Sequence, residues 1–427
     1  MKTITDLIKN VPVPKMVKIR EVFDNSHIAE EDIADTVQKE LSRDALGGQI
    51  KPGMRIAITC GSRGIHHYQL MARAIVDFVK SKGAEPFIVA AMGSHGGATA
   101  EGQTQILADY GITEENMGCP IKSSMETVQV GLSGIRKQPV YVDKFAAEAD
   151  GIILFNRIKP HTSFRGRYES GLMKMMAIGL GKQHGAESIH HQSPGIMHEL
   201  VEEYGRTILE NCPILGGIAI IENAYDETYL IRGLTPDEII TEEPKLRDLS
   251  YETIAHLLFD KCDVLVVDKI GKNISGDGMD PNISGRFVQP KYCSGGIDAE
   301  KVVILDLTDE THGNAQGIGL AEVTTRRLFN KMKLEMTYPT GVTNTFLHLM
   351  KIPMIMDNDR EALQLALCCC PDAEDQNNMK MIRIPDTMHI EYIEISEGLL
   401  PLAQANPNIE ILSEPYDLPF DEEGNLF

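Results

Sequence analysis

The sequence predicts an α/β fold built from two α/β domains with mostly parallel sheets. Two observations lead to this class. Apolar runs of strand length alternate with stretches whose apolar residues recur at helical spacing, and the chain is 427 residues long, more than one compact core usually holds. A helix between two strands returns the chain to the edge where the first strand began, so consecutive strands lie parallel.

The N-terminal part carries the first alternation. A buried strand is predicted at 54–59, after a Lys-Pro-Gly turn signal, and a helix is predicted at 67–82, where the apolar residues share one helical face. Gly83 follows that helix as a C-cap candidate. The further strands predicted here are 86–91, 151–155 and 217–222, and the further helices are 100–110 and one that begins near 171.

A second alternation begins near residue 262. Strands are predicted at 263–268 and 302–307, and a helix is predicted at 320–333. The stretch 271–286 is rich in Gly, Asp, Asn and Ser and has no apolar period, so it is predicted to be a loop. It is long for a purely structural connection, which indicates a functional role.

These two series set the expected domain boundary. We expect an N-terminal domain at 1–262 and a C-terminal domain at 263–400. The last residues, 400–427, are rich in proline and acidic residues. We expect this tail to lie as a strap over the surface and to join the N-terminal domain.

Composition limits the classes of partner. The formal net charge is −21, which repels phosphate backbones, so a general role in nucleic-acid binding is not expected. No apolar run reaches the roughly 18 residues that a membrane span needs, and the N-terminus lacks the apolar segment of a secretory signal. The eight cysteines include no CxxC pair, and free thiols fit a reducing compartment. A cytoplasmic protein without membrane or nucleic-acid partners is expected.

Ligands of open α/β sheets bind beyond the carboxyl ends of the strands, which directs attention to the loops after the predicted strands. The first loop carries Arg63 between glycines, where a guanidinium can bind a carboxylate or phosphate, or can form a surface salt bridge. The second loop, 92–99, carries His95 followed by Gly96 and Gly97. Glycines let backbone amides approach an anion closely, although a plain helix N-terminus is the alternative.

The third loop, 156–167, concentrates positive charge. It contains His161 and four cations within twelve residues of an otherwise acidic chain, a local reversal of sign that indicates an anion site. The helix that follows has Lys174 among apolar neighbours, so its amine either reaches out to solvent or is desolvated and reactive. The four cations are Arg157, Lys159, Arg165 and Arg167.

A histidine-rich stretch comes next. His184, His190 and His191 fall within eight residues, a density that is typical of metal-ligand supply. No HExxH or His-x-His spacing accompanies them. From spacing alone, a metal site and an ordinary polar helix therefore both stay open.

Taken together, these motifs occur in one order: a strand-Ser-Arg loop, a Gly-Ser-His-Gly-Gly loop, a Lys-Pro-His loop, and a Ser-Gly-x-x-Lys helix with a histidine sixteen residues after the lysine. The ordered set resembles the nickel-dependent lactate racemase family, including its broader group of 2-hydroxy-acid racemases and epimerases. The likeness covers most of the chain, and the length and two-domain layout also fit. The resemblance implies an active site in the cleft between the two domains.

The resemblance implies a covalently attached nickel-pincer nucleotide, a pyridinium mononucleotide whose two sulfur-bearing arms and ring carbon hold nickel. Carried over to this chain, it makes Lys174 the residue that tethers the cofactor and His190 the nickel ligand, with His191 as the alternative one position away. Gly96 and Gly97 fall in the loop expected to bind the cofactor.

The resemblance also implies the roles of the remaining polar groups. His95 and His161 fall at the two catalytic histidines, and Arg63 falls at the arginine that holds the substrate. Each histidine would take the hydroxyl proton from one stereoisomer, which makes C2–H a hydride donor. The cofactor would accept the hydride and return it to the other face of a small anionic 2-hydroxy acid.

Two departures from the family pattern bear on the substrate. The first loop lacks the aspartate and the Thr-Arg-Pro of lactate racemases, and the Gln-x-x-Lys pair of the second domain has no match here. The polar loop 273–286 stands in its place, with Asp277, Asn282 and Arg286 as candidate substrate contacts. Polar side chains favour a substrate with matching hydroxyls, so a gluconate-like aldonate is preferred over lactate or another short 2-hydroxy acid.

Other classes remain as alternatives. A metal-dependent hydrolase or lyase could use the same histidines, a racemase could act through an enolate, and a protein without catalytic activity could bind an anionic metabolite. The sequence does not fix the oligomeric state, so a homo-oligomer is left open.

Overall fold

The computed structural model describes residues 3–190, 192 and 194–427, with His190, Pro194 and Thr343 described by their backbone alone. The chain forms two compact units. One comprises residues 24–254, and the other comprises residues 255–427 together with the N-terminal segment that ends at Phe23. Each unit contains a large sheet with parallel strands, so the predicted α/β class is confirmed.

Strands occur along most of the chain, and those predicted from apolar runs are found within a few residues of the expected positions. In chain order the strands of the described residues are β1 (Met16–Glu21), β2 (Arg55–Cys60), β3 (Glu85–Ala90), β4 (Ile121–Lys122), β5 (Thr127–Leu132), β6 (Pro139–Asp143), β7 (Gly151–Arg157), β8 (Ile214–Glu222), β9 (Thr228–Leu234), β10 (Lys261–Ile270), β11 (Asp298–Leu307), β12 (Val323–Thr325), β13 (Met354–Met356), β14 (Met381–Ile384), β15 (Tyr392–Ser396) and β16 (Ile409–Ile411).

The α-helices separate most of these strands. They are α1 (Ile4–Ile8), α2 (Glu30–Leu41), α3 (Asp44–Gly47), α4 (Tyr68–Ser81), α5 (Ala100–Asp109), α6 (Glu114–Met117), α7 (Lys144–Ala147), α8 (Leu172–Lys174), α9 (Lys182–His190), α10 (Met197–Asn211), α11 (Pro236–Thr241), α12 (Glu243–Thr253), α13 (Pro281–Ser284), α14 (Arg326–Lys331), α15 (Leu334–Asn344), α16 (Asp359–Cys368) and α17 (Leu400–Ala405). A π-helical turn, Met175–Leu180, continues directly from α8. No helix in the described part of the chain is both long and apolar enough to cross a membrane.

Within the described residues, the 24–254 unit is built on a sheet of order β4-β3-β2-β7-β8-β9. Neighbouring strands are parallel, except that the edge strand β9 runs antiparallel to β8. Side chains of β2 alternate between two apolar clusters, with Ile56 and Ile58 on one face and Ala57 on the other. Every residue of β8 is buried, as expected for a strand covered by helices on both faces.

In the other unit, the described sheet has the order β13-β12-β11-β10-β14-β15-β1-β16. The strands from β13 to β14 are parallel neighbours, and β15, β1 and β16 extend the sheet by antiparallel pairing. Strand β1 lies between β15 and β16, pairing Met16 with Ser396 on one side and Ile19 with Ile411 on the other.

This pairing changes the expected division of the chain at 1–262 and 263–400. Residues 3–23, residues 255–262 and the tail belong to the unit of β10 and β11 rather than to the N-terminal one. Backbone hydrogen bonding explains the difference, because β1 fills a position between two strands from the end of the chain. A short amphipathic segment at an N-terminus does not reveal so distant a partner.

The helix predicted at 320–333 is only partly correct. Within it, Val323–Thr325 form β12, whose residues are all buried and pair with β11 and β13. The hydroxyl of Thr324 donates to the carbonyl of Ile304, and the hydroxyl of Thr325 accepts the N–H of Leu328 at the start of α14. A β-branched Val-Thr-Thr run fits a buried strand, and Thr325 then caps the helix that follows.

Candidate active site

The carboxyl ends of β3, β2 and β7 lie side by side at one edge of the sheet, because these strands are consecutive neighbours in it. The three loops singled out from the sequence follow Cys60, Ala90 and Arg157 at that edge. A hydrogen bond between Ser62 Oγ and His95 Nδ1 joins the first loop to the second. The fold therefore brings the predicted loops together where open α/β sheets bind ligands.

His95 is exposed on the second loop, and its backbone carbonyl accepts a hydrogen bond from Gln103 Nε2 at 3.2 Å. The two glycines after it have left-handed φ values of 67° and 65°. A Cβ on Gly96 would lie 2.7 Å from the backbone nitrogen of Gln103, whereas no atom lies within 4 Å of a Cβ built on Gly97. Gly96 is thus required for packing against α5, and Gly97 provides the open space that a bound group would need.

Behind this loop lies a polar network that the sequence did not reveal. Lys182 is fully buried, donates from Nζ to Gln103 Oε1 at 2.8 Å, and lies 3.4 Å from the carboxylate of Asp143. Gln103 Nε2 in turn donates to the carbonyls of Gly93 and His95. The network fixes both ends of the His95 turn. Lys182 stands in a polar stretch of sequence, so no local signal distinguishes it from a surface lysine.

His161 is partly buried on the third loop, and its ring orientation is fixed on two sides. The backbone N–H of Ser163 donates to His161 Nδ1 at 3.0 Å. The ring stacks on Phe164, with the ring centroids 4.1 Å apart and the planes at 28°. These contacts hold one rotamer of the imidazole.

Glu169 anchors the loop that carries His161. Its carboxylate is 2% exposed and accepts the backbone N–H of His161 at 2.8 Å, the N–H of Gly166 at 3.3 Å and the hydroxyl of Tyr251 at 2.9 Å. Arg165 lies 3.5 Å from the same carboxylate. A buried carboxylate needs this number of partners to offset its lost hydration, so Glu169 organises the whole turn.

Replacing Tyr251 with phenylalanine is expected to lower the free energy of unfolding by about 1–2 kcal/mol, because one hydrogen bond to a buried carboxylate is lost. Urea unfolding of the purified chain measures the change. Tyr392→Phe is the matched control, since Tyr392 is 57% exposed and should change stability by less than about 0.5 kcal/mol. Equal losses in the two variants would contradict the anchoring role of Glu169.

The positive charge of the third loop is largely paired with carboxylates, which weakens the predicted anion site. Three of its four cations face acidic side chains. The pairs are Arg157 with Glu222, Arg165 with Glu169, and Arg167 with Glu202. Only Lys159 of this set is among the charges that act on Lys174. Most of the cations in this loop therefore form ion pairs within the protein.

Lys174 has the properties of a reactive amine rather than those of a surface lysine. Its side chain keeps partial exposure, but its surroundings desolvate the ammonium and lower its pKa to about 7. Burial is the largest cause, the positive charges of Lys159 and Arg63 add to it, and Glu169 opposes it. About half of the amine is consequently neutral at pH 7.

Two further side chains, which the sequence pattern did not single out, hold the start of the helix that carries Lys174. Asn156 Nδ2 donates to the carbonyl of Gly171 at 2.9 Å. The buried carboxyl group of Glu243 accepts the backbone N–H of Met173 at 3.2 Å. Burial raises the pKa of Glu243 to about 8, although the backbone hydrogen bonds that it accepts oppose the shift. Glu243 lies seventy residues along the chain, so only the tertiary fold brings it to this helix.

Arg63 is exposed on the first loop. Its charge is one of the causes that lower the pKa of Lys174, which means that the two side chains share one electrostatic environment. The predicted substrate arginine and the predicted tether therefore lie at the same edge of the sheet.

The predicted nickel ligand falls partly outside the described structure. His190 is the last residue of α9, but its side chain is not described, and His191 lies outside the described residues. Among the described residues, no group of three or more His, Cys, Asp and Glu side chains is arranged to hold a metal ion. The predicted ligation involves a single protein ligand, His190, so that prediction is untested.

The other unit carries the three remaining candidates. Asp277 follows the carboxyl end of β10 and accepts a hydrogen bond from Gln316 Nε2 at 2.7 Å. Asn282 Nδ2 donates to Asp280 Oδ1 at 2.9 Å, in a short helix of its own, α13.

Arg286 has a different environment. Its Nη2 donates to the carbonyls of Ala299 and Glu300 and to the carboxylate of Glu322 at 3.0 Å. These partners lie at the amino end of β11, the opposite end of the strand from the expected ligand edge. The contacts give Arg286 a structural role, and its selection as a substrate contact stays a prediction.

Comparisons with known proteins agree with this fold. Residues 7–199 match the family model described as the lactate racemase N-terminal domain. The matched range of this chain includes Arg63, His95, His161, Lys174 and His190. The chain is also similar to the solved lactate racemase apoprotein from Thermoanaerobacterium thermosaccharolyticum, with 14% sequence identity and a TM-score of 0.51 over 87% of this chain and 99% of that chain. At this identity the likeness supports the fold alone. Among curated proteins, none matches the chain.

Proposed function

We propose that the chain, whose residues 7–199 match the lactate racemase N-terminal domain, is an isomerase that inverts C2 of a small 2-hydroxy acid. One observation carries the proposal. Two histidines, His95 and His161, follow β3 and β7, the two parallel strands that flank β2, at an edge that also holds a lysine with a pKa of about 7. Such a set can hold and move the hydroxyl proton of a hydroxy acid near neutral pH.

The residues at this edge fit the nickel-pincer nucleotide of the family. Acylation of a lysine needs a neutral amine, and the lowered pKa of Lys174 supplies one at pH 7. The open space at Gly97 leaves room beside the His95 turn. We propose Lys174 as the tether, the 96–97 turn as part of the binding loop, and His190 as the nickel ligand. When bound, this group supplies the acceptor for the hydride that leaves C2.

The residues of the chain then have separate tasks. Removal of the hydroxyl proton raises the electron density at C2 and makes its hydrogen a hydride donor, which is the step that a histidine assists. Arg63 can bind the substrate carboxylate with two parallel hydrogen bonds and so keep the keto acid from leaving. The positive charges near Lys174 attract an anionic substrate to this edge.

Inversion in deuterated water tests the proposal. The full chain, produced together with the cofactor-making genes, is expected to racemise its substrate while C2 keeps its protium, because the same hydride returns to the carbon. Nuclear magnetic resonance of the product measures the isotope at C2. The same chain from a host without those genes is the control and is expected to be inactive.

The alternatives predict other results. An enolate route would place deuterium at C2, and a metal-dependent hydrolase or lyase would yield cleaved products instead of the other stereoisomer. A binding protein would leave the acid unchanged even when loaded. Any of these outcomes would overturn the proposed reaction.

The choice of acid is a narrower proposal. Gluconate-like acids remain candidates because the segment after β10 is polar and includes Asp277 and Asn282. Arg286 is the third candidate contact, and the described contacts of all three residues include partners within their own unit. We expect gluconate to be turned over faster than lactate in the same assay, and equal rates would remove the polyhydroxy preference.

A further inference from the structure

A relay of three fully buried polar side chains lies behind the His95 turn, and each side chain comes from a different element. Asp143 ends β6, Lys182 begins α9, and Gln103 lies in α5. Lys182 Nζ lies 3.4 Å from the carboxylate of Asp143 and donates to Gln103 Oε1 at 2.8 Å. A lysine is almost never fully buried without partners of this kind, because its lost hydration has to be replaced by contacts.

The relay fixes which end of the Gln103 amide faces the turn. The ammonium of Lys182 has only donors, so the atom that it contacts is the amide oxygen. The amide NH2 is thereby directed at the turn, where it donates to the carbonyl of Gly93 at 2.9 Å and to the carbonyl of His95 at 3.2 Å. Without the ammonium, a rotation of the amide by half a turn would present its oxygen to these two carbonyls, and they would repel it.

The backbone of Lys182 indicates that the position of its amine is specifically built. Its φ of 54° lies in the left-handed region, which is unfavourable for residues other than glycine. The side chain offsets this cost through Gln103, Asp143 and the carbonyl of Ala90, the last residue of β3. One amine therefore connects the end of β3, after which the His95 turn begins, with α5, where the turn ends.

The contacts of Gln103 reach the backbone of the turn, so their effect on the reaction passes through the position of His95. Proton transfer depends steeply on geometry, and a displacement of about 1 Å can cost about 10²-fold in rate. We infer that Gln103 and Lys182 are positioning residues for His95, with Asp143 as the buried countercharge of Lys182. The inference rests on the proposed function, in which His95 moves a substrate proton.

Gln103→Glu isolates the two hydrogen bonds that the amide donates. Glutamate has the same size and still accepts from Lys182, but it has no N–H for the two carbonyls of the turn. The loaded variant is expected to lose about 10²-fold in kcat, while KM changes by less than about 3-fold and the added mass on Lys174 is retained. Gln105→Glu, at an exposed position of the same helix, is the matched control and should keep the parent kcat.

Lys182→Met combined with Asp143→Asn is a second variant, which leaves no charge buried without a partner. Asparagine retains an oxygen for the backbone N–H of Ala146, which Asp143 accepts at 3.0 Å at the start of α7. Neutral replacement of a buried ion pair often preserves stability, so this variant is expected to fold. It should lose at least about 10-fold in kcat, because nothing then fixes the orientation of the Gln103 amide.

Hydrogen exchange of the unloaded chain measures the relay without an activity assay. The backbone amides of residues 92–99 are expected to exchange at least about 10-fold faster in both variants, whereas those of the buried strand β8 should keep the parent rates. A folded variant with the parent kcat, or with parent exchange in the turn, would overturn the inference. If the loaded parent chain shows no racemase activity, the proposed function fails, and the exchange rates alone decide whether the relay holds the turn.

Discussion

Lys174→Met is expected to prevent covalent loading of the chain and to reduce isomerase activity to background. Methionine retains the length and apolar character of the side chain but has no amine to form the bond. Intact mass and nickel content, measured on protein produced with the cofactor-making genes, report the loss without an activity assay. The parent chain should carry the added mass, and the variant should not.

The matched control is Lys351→Met, which changes an exposed lysine outside the site and should leave the added mass intact. Folding is a second control. The pKa of Lys174 is about 7 in the native chain and near 10.5 when unfolded, so the unfolded chain binds more protons between these values. At pH 7 the buried amine of Lys174 therefore lowers the free energy of unfolding. Methionine has no charge to desolvate, so Lys174→Met should have an equal or higher Tm. An adduct that persists in the variant would contradict the tether.

The same pKa predicts how loading depends on pH. The neutral fraction of Lys174 rises as pH increases through about 7, whereas an ordinary lysine at that pH has about 10³-fold less neutral amine. Carbon-13 methylation of the lysines, followed by a titration in the magnetic resonance spectrometer, should show one signal with a midpoint near 7. That signal should be missing from Lys174→Met.

The second large effect is expected at His95. His95→Gln should lower kcat by about 10²–10⁴-fold, because a residue that moves a proton in the rate-limiting step typically contributes that much. The added mass on Lys174 should be unchanged, since His95 is not the tether. Steady-state rates on the loaded enzyme, measured in both directions, provide the test.

His389→Gln is the control for this variant, because His389 is exposed and pairs with Asp386 in the other unit. Lys182→Met examines the support behind His95. It removes the donor to Gln103, so kcat should fall while the pH at which activity is half-maximal shifts. A decrease in stability with an unchanged pH profile would show that Lys182 serves the fold only.

Local patterns predicted the parts of the site that follow strands. Apolar runs located β2, β3 and β7, and the rule for parallel sheets then directed attention to Arg63, His95 and His161. Lys174 was recognisable because a cation among apolar residues violates helical patterning. These features depend on residues close together in sequence, which is why the sequence alone could select them as candidates.

The supporting groups could not be predicted in this way. Glu169, Glu243 and Lys182 are polar residues in polar stretches, and each becomes significant only through burial against a distant segment. Arg286 was selected from its place in a polar loop, and the sequence did not indicate that described partners of its guanidinium lie at the amino end of β11. Strand β1 was missed for the same reason, because its partners lie at the opposite end of the chain.

The π-helical turn at Met175–Leu180 separates Lys174 from the helix that ends at His190. In an α-helix each residue is rotated by about 100° from the one before it. The wider π-helical turn, followed by the left-handed backbone of Lys182, interrupts this rotation, so the side chains of α9 do not continue the helical register of α8. The sixteen-residue interval between the two positions is therefore a property of this broken geometry and not of a continuous helix. Transplanting Lys174 together with the backbone position of His190 into another scaffold would therefore require grafting the irregular turn as well.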